Sequence, residues 1–199
     1  MSFVCIMRSI YHYDEIDSTN DEAKRRLRAG EELIGAVITA GKQSAGRGRL
    51  GKSFASPGGD SIYASFVLSL PENLAEQQIT PLAAVAVCFA LEKTTSYKPG
   101  IRGVNDILID NKKVCGILAE SVPGAVVLGI GVNINLREGD FPEELREEAG
   151  SLGMDKEIRT RFFDELVEEV FRCMDVAAKP DSAGAAMLMG EYRARSADA

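Results

Sequence analysis

The sequence predicts an α+β protein with one main domain. Two observations carry this expectation. Apolar runs of strand length and β-branched character recur at residues 33–40, 61–70, 101–120 and 125–135, and segments beginning at Thr80 and Arg159 space their apolar residues as helices do. A third observation sets the size, since 199 residues of which 45% are hydrophobic suffice for one substantial core.

Taken in order, Ser9 to Ile16 is read as a short strand leading into Asp17-Ser18-Thr19-Asn20-Asp21-Glu22. Ser18 or Thr19 followed three residues later by an acid is a capping-box pattern, so Ala23 to Ala29 is expected to be helical, closed by Gly30. Three small polar side chains at that helix start are either a plain cap or the rim of a ligand site. Leu33 to Ala40 is the next strand, and Ser61 to Leu70 the one after.

Between those strands lies GRGRLGKSFASPGG, residues 46–59. From Gly41 to Gly59 the chain carries Lys42, Arg47, Arg49 and Lys52 and no acid, within a protein of net charge −7. Local positive charge on an acidic background calls for an anionic ligand, and alternate glycines let the backbone turn its N–H groups toward phosphate or carboxylate oxygens. Gly46, Gly48 and Gly51 also spell G-x-G-x-x-G. A dinucleotide fold needs a helix after the third glycine, whereas a Ser-Pro-Gly-Gly turn and a strand follow here. A kinase glycine loop does sit between strands, but the HRD and DFG motifs are absent.

Thr80-Pro81 opens a long apolar segment expected to be a buried helix with proline near its first turn. Residues 101–120 read as a hairpin about Asp110-Asn111, and counting by two puts Lys113, Cys115 and Ile117 on one face of its second strand. A lysine sharing a face with apolar residues is either an edge residue that discourages strand pairing or a ligand contact. Ala125 to Asn135 is a further strand, where Gly129 and Gly131 signal a bulge or a group approaching the backbone, and Asn133 is a turn residue or a ligand contact. An amphipathic helix from Arg159 to about Val176 buries Phe162, Leu166 and Val170 and turns its acids to solvent, and a short helix follows the break at Lys179-Pro180.

Composition narrows the function. Net charge −7 and a sequence pI near 4.9 argue against nucleic acid as the main partner, which needs a basic face rather than one basic loop. Cys5, Cys88, Cys115 and Cys173 lack metal-ligand or disulfide-framework spacing and read as reduced core thiols. Residues 1–13 do not have the pattern of a leader, and no apolar run approaches the ~20 residues of a membrane span, so a soluble cytoplasmic protein without membrane association is expected.

Four motifs, in order, carry a resemblance: Asp17-Ser18-Thr19-Asn20; Gln43 with GRGRLGKSFASPGG; Asn105-Asp106 with Lys112-Lys113 and Gly116-Ile117-Leu118; and Gly129-Ile130-Gly131-Val132-Asn133. Together they resemble the catalytic domain of the biotin protein ligases over residues 11–135. The resemblance implies a mixed β-sheet with helices packed against it, related to class II aminoacyl-tRNA synthetases and lipoate ligases. It implies a catalytic domain over residues 1–178, a tail at 179–199 where the family's small β-barrel would follow, and no N-terminal DNA-binding domain.

The implied activity joins biotin and ATP as biotinyl-5'-AMP and then transfers biotin to a lysine of a biotin carboxyl carrier protein of acetyl-CoA carboxylase. By resemblance, Ser18, Thr19, Asn20, Gln43, Gly46 and Gly116 meet biotin, with Arg47, Arg49 and Lys113 as catalytic cations also touching it. Lys52, Phe54, Asn105, Asp106 and Asn133 meet the nucleotide, Phe54 by stacking on adenine, with Asp106 also the contact for Mg2+. A homodimer is implied as well. Rival readings are lipoate or octanoate attachment on the same fold, and a degenerate protein that binds biotin without transferring it. One departure stands out. The family's Lys-Trp-(Pro or Val)-Asn-Asp is here Arg102-Gly103-Val104-Asn105-Asp106, and losing so large an aromatic from a wall would cost ~3–5 kcal/mol if neighbours did not compensate.

Overall fold

The computed structural model describes residues 8–51, 54, 56, 61–70, 74–179 and 183–196, and among these seven strands make one sheet. In chain order they are β1 (Ile10–Ile16), β2 (Val37–Gln43), β3 (Ile62–Leu68), β4 (Gly100–Arg102), β5 (Asp106–Ile109), β6 (Lys112–Val122) and β7 (Ala125–Val132). Across the sheet the order is β1-β2-β3-β7-β6-β5-β4, with β1 and β2 parallel and the other neighbours antiparallel. The helices are α1 (Thr19–Arg28), α2 (Glu76–Thr94), α3 (Lys156–Ala177) and α4 (Ala183–Arg195). The mixed sheet with packed helices matches the expected α+β class.

Alternation along the central strands shows why the sheet is covered on both faces. Ile62, Ala64, Phe66 and Leu68 of β3 and Val126, Leu128, Ile130 and Val132 of β7 point into one large core with α2 and α3. Val67 of β3 and Ala125 and Val127 of β7 point the other way, into a smaller core with Ala23 of α1. Each large apolar side chain buried this way contributes roughly 1.5–3 kcal/mol. The smaller core ends where the chain substitutes Gly129 and Gly131 for the next apolar residues of the same face.

Several element boundaries differ from the sequence reading. Gly35 takes φ +87 in a turn where Ala36 N–H donates to Leu33 C=O, so β2 starts at Val37 and reaches Gln43 at its end. Helix α2 begins at Glu76, where the Gln78 side-chain oxygen accepts the Ala75 N–H at 3.0 Å, which leaves Pro81 inside the helix. Asp155 caps α3 by accepting the Ile158 N–H at 2.8 Å, so that helix starts at Lys156. Its acids are not all solvated. Glu169 is 1% exposed, 2.7 Å from Lys93 and 2.5 Å from Arg172. Burial alone would raise its carboxyl, but the two cations outweigh burial and hold it below the usual carboxylate range.

Residues 183–196, expected to be a tail, pack into the large core. Leu188 is fully buried, Arg195 meets Glu92 at 3.1 Å, and Ser196 bridges to Ile101 of β4. Asp110 and Asn111 take φ values of 50 and 63, the left-handed pair of a tight hairpin, as expected. Cys88, Cys115 and Cys173 are free and buried; burial raises all three thiols, Cys88 and Cys173 to about 12, while Cys5 lies outside the described residues. No helix among the described residues is long and apolar enough to cross a membrane.

Candidate active site

Glycines make the site. On the α1 side of the sheet a cavity of about 360 Å³ opens over Gly129 and Gly131 of β7 and Gly116 of β6. Gly116 and Gly131 are cross-strand partners, so two adjacent strands present bare backbone. A Cβ on Gly131 would come within 2.5 Å of Phe54 Cε1, and one on Gly129 within 2.5 Å of Asn20 Oδ1. Pairing of β7 with both neighbours is continuous here, so the glycines serve close approach rather than a bulge.

One end of the cavity is a hydrogen-bonding cluster. Ser18 caps α1 by accepting the Asp21 N–H at 3.4 Å, which delivers Thr19 and Asn20 to the sheet. The Thr19 N–H donates to Gln43 Oε1 at 2.8 Å, with Thr19 Oγ1 3.1 Å from the same oxygen. Gln43 Nε2 donates to Ser56 Oγ at 3.0 Å. Ser65 Oγ lies 2.7 Å from Thr19 Oγ1 and 2.5 Å from Asn20 Oδ1. Ser18, Thr19, Asn20, Ser56 and Ser65 are buried, and Gln43 is half-buried. The entry turn is held by Asp17, whose carboxylate takes two bonds from Arg25 at 2.7 and 2.8 Å. Those bonds from Arg25 lower Asp17 to about 2, so this pair stabilises the turn fully above pH ~4 and is lost as pH falls through 2.

The other end is cationic. Here the sequence reading of β6 needs correcting, because β5 and β6 slip register: Ile107 pairs with Cys115 and Leu108 with Lys113, so Val114 is an extra residue. That bulge turns Lys113 off the Cys115 and Ile117 face, which enters the large core, and brings it to the cavity beside Gly116. Lys113 Nζ lies 2.8 Å from Asp106 Oδ1, which also accepts from Asn105 Nδ2 at 2.8 Å. Arg49 donates to Asn105 Oδ1 at 2.9 Å, and Arg102 stands 3.7 Å from Asp106 and 3.6 Å from Glu148. Arg47, toward the first end, pairs with Asp21 at 2.7 Å. The basic loop thus spans from α1 to the β4–β5 turn.

These residues do not fit a protein-held metal. Asp106 faces Lys113 and Arg102, Asn105 Oδ1 is taken by Arg49, and the described residues hold no cluster of three or more metal-ligating side chains.

A sequence model of the biotin/lipoate A/B protein ligase family matches residues 13–136. The chain belongs to that family. It is 38% identical over 149 residues to the bifunctional ligase/repressor BirA of Bacillus subtilis (strain 168), covering 72% of this chain and 45% of that protein. It is 30% identical over 188 residues to the biotin--[acetyl-CoA-carboxylase] ligase of Mycobacterium tuberculosis, covering 90% of this chain and 67% of that one. The chain therefore spans less than half the length of the BirA relative. Among solved structures, the biotin protein ligase of Aquifex aeolicus in complex with biotin and ATP is similar with a TM-score of 0.70 and 29% identity, over 87% of this chain and 75% of that one.

The residues this ligase-family chain was expected to use gather in the one cavity, with two exceptions. Gly46 does not line it. Its carbonyl accepts the Phe54 N–H at 2.9 Å, and a Cβ there would lie 2.4 Å from Phe54 O, so Gly46 lets the loop return on itself. Lys52 lies outside the described residues. Phe54 stands over the glycine floor, 6.0 Å from Lys113 Nζ, and Asn133 donates to Gly150 C=O at 3.0 Å, anchoring the segment that carries Glu148.

Ser56, Ser65, Glu120 and Glu148 were missed. Ser65 and Glu120 left a trace in the sequence, each as a polar residue within an apolar strand.

Within this family's pattern, Gly103 is not a hole in a wall. It is exposed at φ +58 with nothing within 4 Å of a built Cβ, so the expected cavity cost does not arise. Its carbonyl instead accepts from Tyr192 Oη of α4 at 2.7 Å. That bond braces the turn bearing Arg102, Asn105 and Asp106. Tyr192→Phe removes that bond and is expected to cost about 1 kcal/mol of stability, a fall in Tm of about 2–4 °C read by thermal melting.

Proposed function

We propose that this chain is an ATP-dependent biotin protein ligase. The observation that carries the reading is the cavity's division into a hydrogen-bonding end, an apolar middle floored by Gly116 and Gly131 beside Phe54, and a cationic end at Lys113. Biotin has those parts in that order: a cyclic urea, an aliphatic chain and a carboxylate. Lipoate has a chain and a carboxylate, but its dithiolane ring brings no N–H donor or carbonyl acceptor to the buried Thr19, Asn20 and Ser65 and the half-buried Gln43, a mismatch that sites of this kind reject by large factors. That favours biotin over lipoate.

In the first step a biotin carboxylate oxygen attacks the α-phosphorus of ATP and pyrophosphate leaves. Both reactants are anions. Lys113 and Arg49, at the cationic end, offset their repulsion and stabilise the charge that accumulates, in a protein otherwise negative. Phe54, assigned to adenine by resemblance, stands between the two ends, so we place it beside the chain and the reacting carboxyl. Asn105 and Asp106 hold Arg49 and Lys113 on the nucleotide side, and Asn133 supports the wall. Mg2+ belongs to this reading as a companion of the ATP phosphates, supplying further charge neutralisation. In the second step a carrier-domain lysine amine attacks the acyl carbon and AMP leaves. Cytoplasmic residence and a homodimer complete the reading; Ile10 and Tyr11, exposed on the outer strand β1, offer a pairing edge to a second copy.

Pyrophosphate release with MgATP and either biotin or lipoate, with and without an apo biotin carboxyl carrier domain, tests the reading. Biotin-dependent release with carrier labelling is expected. Release with lipoate alone would reassign the substrate, and biotin binding without release would leave a binding protein.

A further inference from the structure

Glu120 lies on β6, seven residues beyond Lys113, facing the same side of the sheet as Gly116 and Leu118. Its carboxylate accepts from Asn20 Nδ2 at 2.8 Å and from Lys24 Nζ at 2.7 Å. Lys24 is buried, and it also meets Asp21 at 2.9 Å, which in turn holds Arg47. No motif marks this glutamate, and it does not line the cavity.

We propose that Glu120 is a positioning residue that sets the hydrogen-bonding sense of the head-group pocket through Asn20. The proposal rests on the biotin reading for its kinetic consequence. A carboxylate only accepts hydrogen bonds, so it turns the Asn20 amide with NH2 toward itself and Oδ1 toward Ser65. Ser65 has one proton, and the 2.5 Å contact to Asn20 Oδ1 takes it. The 2.7 Å contact between Ser65 and Thr19 is then made by the Thr19 proton. Gln43 Oε1 keeps the Thr19 N–H at 2.8 Å, and its longer 3.1 Å contact to Thr19 Oγ1 carries no proton. One lone pair of Gln43 is thereby reserved for a ring N–H of a cyclic urea. A neutral amide at position 120 can donate or accept, and the order is no longer imposed.

The test uses the full chain. E120Q is expected to raise the KM for biotin about tenfold, as for loss of a charge-assisted bond, with the KM for ATP within about twofold of the parent. N20A should give a similar rise, and N20A/E120Q no further one, because the glutamate acts through the asparagine. Additive effects, or equal changes in both KM values, would overturn the proposal. A second readout needs no substrate: the Asn20 side-chain amide, followed by 15N NMR, should be slowly exchanging in the parent and lose that protection in E120Q. An Asn20 amide unchanged by E120Q also defeats the proposal. Absence of biotin-dependent pyrophosphate release in the parent defeats the ligase reading instead, so the two failures are separable.

Discussion

Replacing Lys113 with alanine is expected to slow biotin-dependent pyrophosphate release by about 10²–10³-fold, the usual loss when one preorganised donor to developing charge is removed. The fold should survive. The Lys113 side chain is 31% exposed and its partner Asp106 keeps Asn105 and Arg102 nearby, so the ion pair is worth ~1 kcal/mol or less and Tm should fall by no more than about 4 °C. Rate and Tm measured on the same preparation separate chemistry from stability. A rate equal to the parent's would remove Lys113 from the reaction, and a collapse in Tm would make it a structural residue. Lys113→Arg keeps the charge but spreads it over a planar group, so only partial recovery is expected.

Gly131→Val should abolish space rather than charge. The new side chain would begin 2.5 Å from Phe54 and stand on the floor between the two polar ends. Overpacking commonly costs ~1–3 kcal/mol, which becomes a loss of biotin affinity of about 10- to 100-fold by titration calorimetry. Valine suits a central strand and the other face of β7 is untouched, so the fold should survive, with Tm lowered by no more than about 10 °C as Phe54 shifts. Unchanged affinity would show that the ligand does not lie on the glycine floor. A loss of affinity accompanied by unfolding would show that Gly131 matters to the sheet itself.

Much of the site was legible because it is written in short runs of unusual residues. An acid-free basic stretch, glycines two apart in a strand, and small polar side chains before a helix are each local patterns with a local cause. Alternation in β7 sends Gly129 and Gly131 to one face and Ile130 to the other, whatever surrounds them. The face of Lys113 was not legible by counting, because the register of β6 depends on where β5 pairs with it, and one extra residue at Val114 reverses the count beyond it. Glu169 read as a solvated acid for a similar reason, since its partner Lys93 lies on another helix.

From the sequence alone follow the order of strands and helices except for the division of residues 100–109 into β4 and β5, the acidic surface with its one basic loop, and the family resemblance that the match over residues 13–136 bears out. Those are properties of neighbouring residues. The three-dimensional fold had to supply the rest: that Gly103 is braced by Tyr192, that residues 183–196 pack into the main core, and that Asn20 meets Glu120, a residue 100 positions away. Such contacts depend on which strands become neighbours, and the free energy that selects those neighbours is spread over the whole core rather than held in any one segment.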